Sequence, residues 1–213
     1  MDKHRKAIDL FNRKASEYQA KYMDVSAYHE SLDIFCESIE RVYADVLELA
    51  CGPGNVTKYL LDKRPNWQIL ATDLAPQMLE LAQINNPQAE TELMDIRSLT
   101  YLHRKFDGVI CSFGLPYLSQ EEAAQLVNDA VQVLHSDGVL YLSTMSGAYD
   151  RSGWEQPSDG GPDQMYIHYH ERDYLVNCMK EAGFSMIYES AKPLESSDLV
   201  DLMLIGKLGT ELP

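Results

Sequence analysis

Basic residues are scarce in this chain: 18 Lys and Arg stand against 33 Asp and Glu, a formal net charge of −15 over 213 residues. A surface of that sign repels phosphate backbones, whose binding needs clustered cations to release counterions, so no nucleic-acid partner is expected. The four cysteines, Cys36, Cys51, Cys111 and Cys178, are scattered and include no CxxC pair. That spacing speaks against zinc and thioredoxin-type chemistry and against a compact disulfide framework, so no metal site is expected. Long apolar runs are missing as well. Nothing approaches the roughly 18 apolar residues of a membrane span, and no apolar signal core follows Met1-Asp2-Lys3-His4-Arg5-Lys6. These absences predict a soluble protein of a reducing cytoplasm, away from the membrane. What is present is an apolar fraction of 45%, enough to bury one substantial core in one domain with embellishments.

Ile8, Phe11, Ala15, Tyr18 and Tyr22 recur at steps of three and four, which predicts a helix with these residues on one face. A second helix is expected from Ser26 to Tyr43, with Tyr28, Leu32, Phe35, Ile39 and Val42 on its apolar stripe. Residues 1–22 hold six basic and three acidic groups, a local +3 that leaves −18 for the remainder. A solvated helical face explains this charge as well as a local basic surface does.

From Ala44 the pattern changes to alternating strand and helix. Expected strands are Val46–Ala50, Trp67–Thr72, Glu90–Met94, Phe106–Phe113 and Val139–Thr144. Pro76 suits the first turn of a helix, and Ser119-x-x-Glu122 is a capping box ahead of another. Repeated units of this length predict a mostly parallel sheet with helices on both faces. Ser146 to Pro162, rich in Gly, Ser, Pro and Asp, reads as a long surface loop. A helix from Glu171 to Ala182 should end at Gly183. The stretches Phe184–Tyr188 and Asp198–Gly206 should then pair as an antiparallel hairpin.

The segment from Val46 to Thr57 joins the first strand of the sheet to its helix through Gly52-Pro53-Gly54. Glycines there turn the backbone tightly and let a ligand approach closer than a side chain would permit. Asp73 follows Gly54 by nineteen residues and ends the second strand. A carboxylate in that place can accept hydrogen bonds from both ribose hydroxyls, so the pair predicts a nucleotide-like ligand at the carboxyl edge of the sheet. An NAD-dependent oxidoreductase would carry GxGxxG, but Thr57 stands where the third glycine belongs.

The chain resembles the class I S-adenosylmethionine (SAM)-dependent methyltransferases. The resemblance rests on Glu48-x-Ala50-x-Gly52-x-Gly54, on Thr72-Asp73-Leu74 with Pro76-x-Met78-Leu79, and on Met94-Asp95-Ile96. It continues through Phe106-Asp107-Gly108-Val109 and Leu134 to Leu140, closes with Glu181-Ala182-Gly183-Phe184, and covers residues 44 to about 207. Ala50 departs from the glycine that many members carry there. The resemblance implies a Rossmann-like α/β fold: a mostly parallel seven-stranded sheet with an antiparallel C-terminal hairpin. Residues 1–43 would form a helical cap and 44–213 the SAM-binding domain. SAM would be the cofactor, with Glu48, Ala50, Gly52 and Gly54 in the turn beneath its methionine part. Asp73 would hold the ribose and Leu74 would pack on the adenine. Asp95 would accept from the adenine amino group, Ile96 would lie against the ring, and Ser112 and Phe113 would border the methyl group.

For the acceptor side, alternation along Tyr166–His170 puts His168 with Tyr166 and His170 on one side. His168 is a candidate base, and His170 a candidate helix cap. Tyr22, with Tyr18, is a candidate lid or catalytic residue on the first helix. The chain reads Ser112-Phe113-Gly114-Leu115-Pro116-Tyr117 after its fourth strand, without the Asp/Asn-Pro-Pro-aromatic element of amino-directed DNA methyltransferases. A small-molecule acceptor at O, N or C is therefore expected. A non-catalytic SAM-binding regulator and the NAD enzyme stand as the alternatives.

Overall fold

A computed structural model describes residues 3–156, 163–193 and 199–210. Helix α1 spans Lys3–Tyr22, and its Phe11, Ala15 and Tyr18 pack with Ala75 and Met78 at the start of α4 (Pro76–Asn85). The predicted second helix divides into a short 3-10 turn at Ser26–Tyr28 and α2 at His29–Ser38. It stops short of Tyr43 because a tertiary contact ends it. Arg64 Nη2 donates to the Cys36 carbonyl at 2.7 Å, and Ile39 turns extended at φ −98°. Ile39 is buried, whereas Val42 and Tyr43 face solvent.

The alternation that follows gives β1 (Asp45–Leu49), α3 (Asn55–Lys63), β2 (Gln68–Asp73), α4, β3 (Glu90–Leu93) and β4 (Phe106–Ser112). Then come α5 (Gln120–Val133), β5 (Leu134–Ser146), β6 (Gly153–Glu155), β7 (Met165–Ile167), α6 (Arg172–Glu181), β8 (Phe184–Pro193) and β9 (Val200–Leu208). Seven strands lie in the order β3-β2-β1-β4-β5-β9-β8. The first five are parallel, and β9 runs antiparallel between β5 and β8. The chain winds outward from β1 to β3, then crosses back to β4. The carboxyl ends of β1 and β4 therefore diverge and open a crevice, the usual ligand position in such sheets.

Strand β5 begins at Leu134, five residues before the expected start at Val139 and directly at the end of α5. Asp137 takes a left-handed φ of 65° there, and the pairing with β4 shifts register between Phe106 and Gly108. The stretch after Ser146 is more ordered than its composition predicts, since β6 pairs antiparallel with β7. Residues 157–162 of the expected loop, and Asp198 at the expected start of the last strand, lie outside the described residues. Gly183, at φ 94°, closes α6 as predicted.

Two apolar layers hold the sheet. One packs Leu47, Leu49, Val109 and Leu142 against α5 and α6; the other packs Val46, Ile110 and Tyr141 against α2 and α3. Phe35 and Ile39 belong to the second layer, so α2 shares its core with the sheet. No helix among the described residues is long and apolar enough to cross a membrane.

Candidate cofactor cleft and active site

The turn after β1 places Ala50, Gly52 and Gly54 at φ 52°, 55° and 78°. All three are left-handed, which explains why the spacing is glycine-rich. Ala50 bears the strain that a Cβ brings there, about 1–2 kcal/mol relative to a relaxed conformation. A Cβ built on Gly52 meets nothing closer than Tyr18 Cε1 at 3.7 Å, because the residue fronts open space. On Gly54 the same atom would sit 2.3 Å from Asn86 Nδ2. Gly54 therefore serves close packing of the turn on α4 and does not line the cleft.

Asp73 ends β2 and is held at both oxygens. The Gly52 N–H donates to Oδ2 at 2.9 Å and the Ala75 N–H to Oδ1 at 2.8 Å. Burial raises its pKa against the pull of these backbone bonds. Each oxygen keeps a further lone pair, enough to accept two hydroxyls. Glu48 points elsewhere. It is 1% exposed and accepts a bond from Thr57 Oγ1 at 2.5 Å. Burial pushes its pKa up to about 8. Thr57, standing where a dinucleotide fold has glycine, is itself fully buried under the turn.

Ala50, Gly52, Asp73, Leu74, Asp95, Ile96, Ser112 and Phe113 line one cleft at the carboxyl edge of the sheet, with about 960 Å³ of free space counting its open mouth. Asp95 is clamped by Arg97, whose backbone N–H and Nε reach Oδ1 at 2.9 and 3.0 Å and whose Nη2 reaches Oδ2 at 2.6 Å. Burial pushes its pKa up, but the Arg97 bonds prevail and hold it below the usual carboxylate range. Arg97 also binds Glu122 at 3.1 Å, the acid of the α5 capping box. Phe113 sits at φ 55° with its N–H on Ser143.

Helix α1 roofs this cleft. Ile8, Phe11 and Tyr18 line it, and burial raises the Tyr18 phenol to about 12. Asn12 Oδ1 accepts the Gln77 N–H at 3.0 Å, and Gln19 Oε1 accepts from Asn85 at 2.8 Å. At the other end, Lys3 and Lys6 lie 3.3 and 4.3 Å over the rings of Tyr166 and Trp154. Part of the N-terminal positive charge is thus spent on aromatic faces of the β6–β7 hairpin. The periodicity of α1 was the available signal for the roof; Met145, another lining residue, carried none.

Tyr22 lies outside the lining, 39% exposed, with its ring 4.5 Å from that of Tyr18. His168 also lies outside it. The residue is 7% exposed and flanked by Tyr149 and Tyr166, and its Nδ1 has no hydrogen-bond partner. Burial, then the Lys3 charge, lowers its pKa to about 4. Its backbone N–H donates to the carbonyl of Pro116, which does line the cleft. His170 Nε2 lies 3.0 Å from the Leu115 carbonyl, so the residue tethers the loop after β4, and α6 has no side-chain cap. Among the described residues no group of three or more His, Cys, Asp or Glu is placed to hold a metal ion.

The cleft suits a nucleoside ligand. The Asp73 carboxylate, the apolar faces of Leu74 and Ile96, and the space that Gly52 leaves by lacking a Cβ all front it. Residues 46–138 match the family described as a methyltransferase domain. The malonyl-[acyl-carrier protein] O-methyltransferase of Acetivibrio thermocellus is 34% identical over 136 residues, 63% of this chain and 47% of its own length. The chain thus spans about half the length of the curated relatives it matches. Among solved structures, the magnesium protoporphyrin IX methyltransferase of Synechocystis PCC 6803 with bound S-adenosylhomocysteine aligns at a TM-score of 0.74 and 16% identity, covering 98% of this chain and 100% of that one. The [4+2]-cyclase SpnF aligns at 0.66 and 13% identity, over 85% and 82% of the two chains. By its strand order and these structural neighbours the chain has the Rossmann-like fold of the class I SAM-dependent methyltransferases, and its residues 46–138 are similar to the methyltransferase-domain family.

Proposed function

We propose that the cleft binds SAM and that the protein transfers the SAM methyl group to a small-molecule acceptor. The observation that carries this reading is the convergence of Gly52, Asp73 and Phe113 on one roofed cleft at the β1–β4 crevice. Asp73 would receive the ribose hydroxyls, Leu74 and Ile96 the adenine faces, and Asp95 the adenine amino group. Ser112 and Phe113 would border the methyl group. SAM supplies a methyl already activated on a sulfonium, open to in-line displacement by an O, N or C nucleophile. The task left to the chain is to hold donor and acceptor in a near-attack geometry with water excluded. The α1 roof and the buried Tyr18 suit that task. Buried Thr57 at the third-glycine position supports SAM over NAD. The four free cysteines fit work in a reducing cytoplasm.

A second reading, cofactor binding without methyl transfer, draws on the cyclase that shares this fold. Titration calorimetry with S-adenosylhomocysteine, with NADH as control, tests the cofactor. One-to-one binding of the former alone is expected, and Asp73→Ala should weaken it more than about tenfold. Binding of NADH alone, or an Asp73→Ala affinity equal to the parent's, overturns the assignment. Mass analysis of small acceptors incubated with protein and SAM separates transfer from binding.

A further inference from the structure

Beyond the cofactor residues, the cleft adjoins a buried acid that the methyl-donor site does not use. Asp201 on β9 pairs across the sheet with Met145 on β5. Directly opposed residues of antiparallel strands share a face, so the Asp201 carboxylate stands beside Met145, which lines the cleft. From the other side, the Tyr28 hydroxyl donates to Asp201 Oδ2 at 2.7 Å. The Tyr28 ring lies 5.2 Å from that of Phe113, a second lining residue. The pair is therefore set against the cleft by two of its walls, at the end where β4 and β5 finish.

Asp201 is 9% exposed, yet its hydrogen-bond partner is a neutral phenol. Lys192, its cross-strand neighbour on β8, gives its ammonium to the Ala27 carbonyl instead. Among the described residues Oδ1 accepts no hydrogen bond. A nearly buried carboxylate with one oxygen unbonded, and no cation bonded to it among the described residues, is arranged to receive one. Burial raises its pKa while Tyr28 and Lys192 pull it down, so it is suited to take a proton as well.

Resting on the methyltransferase reading, we propose that Tyr28 and Asp201 form the acceptor subsite and that the acceptor is a small amine, bound as its ammonium and deprotonated there. The ammonium gives one proton to the Tyr28 oxygen as the phenolic proton passes to Asp201 Oδ2, which leaves the phenol restored and the nitrogen lone pair free. That pair forms the N–C bond as the S–C bond of the donor breaks and its electrons return to sulfur. The product leaves as the methylated ammonium, and Asp201 releases its proton to water.

The test uses the full chain saturated with S-adenosylhomocysteine, titrated with phenethylammonium and with hydrocinnamate, probes of similar shape and opposite charge. The ammonium should bind at least about tenfold more tightly. Asp201→Asn should abolish that preference, and Tyr28→Phe, which keeps the ring on Phe113, should retain it. S-adenosylhomocysteine affinity and thermal stability of the variants report whether the cofactor half and the fold persist. Equal or absent binding of the two probes, tighter binding of the acid, or a preference that survives Asp201→Asn overturns the amine subsite while leaving the cofactor reading in place. Failure of S-adenosylhomocysteine to bind the parent protein overturns both.

Discussion

Glu48→Gln should stabilise the protein at neutral pH, by an amount that grows as pH rises. Glu48 is 1% exposed. Burial pushes its pKa up to about 8, the Thr57 bond opposes that, and the Asp73 charge adds to it. An unfolded glutamate titrates near about 4.3, so between the two values the native protein holds a proton that the unfolded chain has released. The stability owed to this proton is full below the unfolded value and is lost as pH rises through the native one. The slope is about 1.4 kcal/mol per pH unit, or about 3 kcal/mol between about pH 5.5 and 7.5. Glutamine has the same shape and its carbonyl can accept the Thr57 hydroxyl, but it does not titrate. Subtracting variant from parent therefore removes the pH dependence of every other group. For a chain of 213 residues, each kcal/mol moves the melting temperature by roughly 2–4 °C. The gap between the two melting curves should open by roughly 6–12 °C over that pH range. Parallel curves would refute the reasoning, because they would mean that Glu48 ionises in the folded protein despite its burial.

Gly54→Ala should lower stability by roughly 2 kcal/mol or more, since it adds a left-handed Cβ 2.3 Å from Asn86 Nδ2; urea denaturation measures it. Gly52→Ala should cost only about 1 kcal/mol for its positive φ, yet weaken S-adenosylhomocysteine in calorimetry, because its Cβ enters the cleft. Ser119→Ala removes the hydroxyl that accepts the Glu122 N–H, leaving the other half of the α5 capping box in place, and should destabilise by about 1 kcal/mol, read from the urea midpoint. Replacing Lys3 and Lys6 together by alanine removes two cation–π contacts, roughly 0.5–1 kcal/mol each. Faster amide hydrogen exchange confined to α1 is the expected sign of the loosened roof.

Most of the residues proposed for the donor were legible as neighbours in one cleft because their signals are local. Residues 50, 52 and 54 all fall at positive φ, so a turn only a few residues long dictates the glycine spacing. One strand-helix-strand unit then fixes how far along the chain Asp73 must stand. Local reading has its own limit even here. Strand alternation sends Glu48 to the face of Val46, away from Leu47 and Leu49, and there it meets Thr57 instead of the cleft. Where a tertiary partner decides, the sequence carried no sign: α2 ends on Arg64, and β6 and β7 are three-residue strands that exist only by pairing with each other.

The acceptor side obeys the second logic throughout. Tyr28 and Asp201 are 173 residues apart and meet because β9 inserts between β5 and β8 while the turn before α2 folds over the end of β4. Neither residue belongs to a spaced motif, and Tyr28 read simply as one more apolar position on a helix. A donor site made from consecutive turns can be recognised in any chain that keeps those turns. The proposed acceptor site, made from the turn before α2, the end of β4 and the last strand, changes with each segment independently. That difference in construction lets one sheet present the same methyl donor to chemically different acceptors, and it is why charge preference at Asp201 discriminates among them when the glycine turn does not.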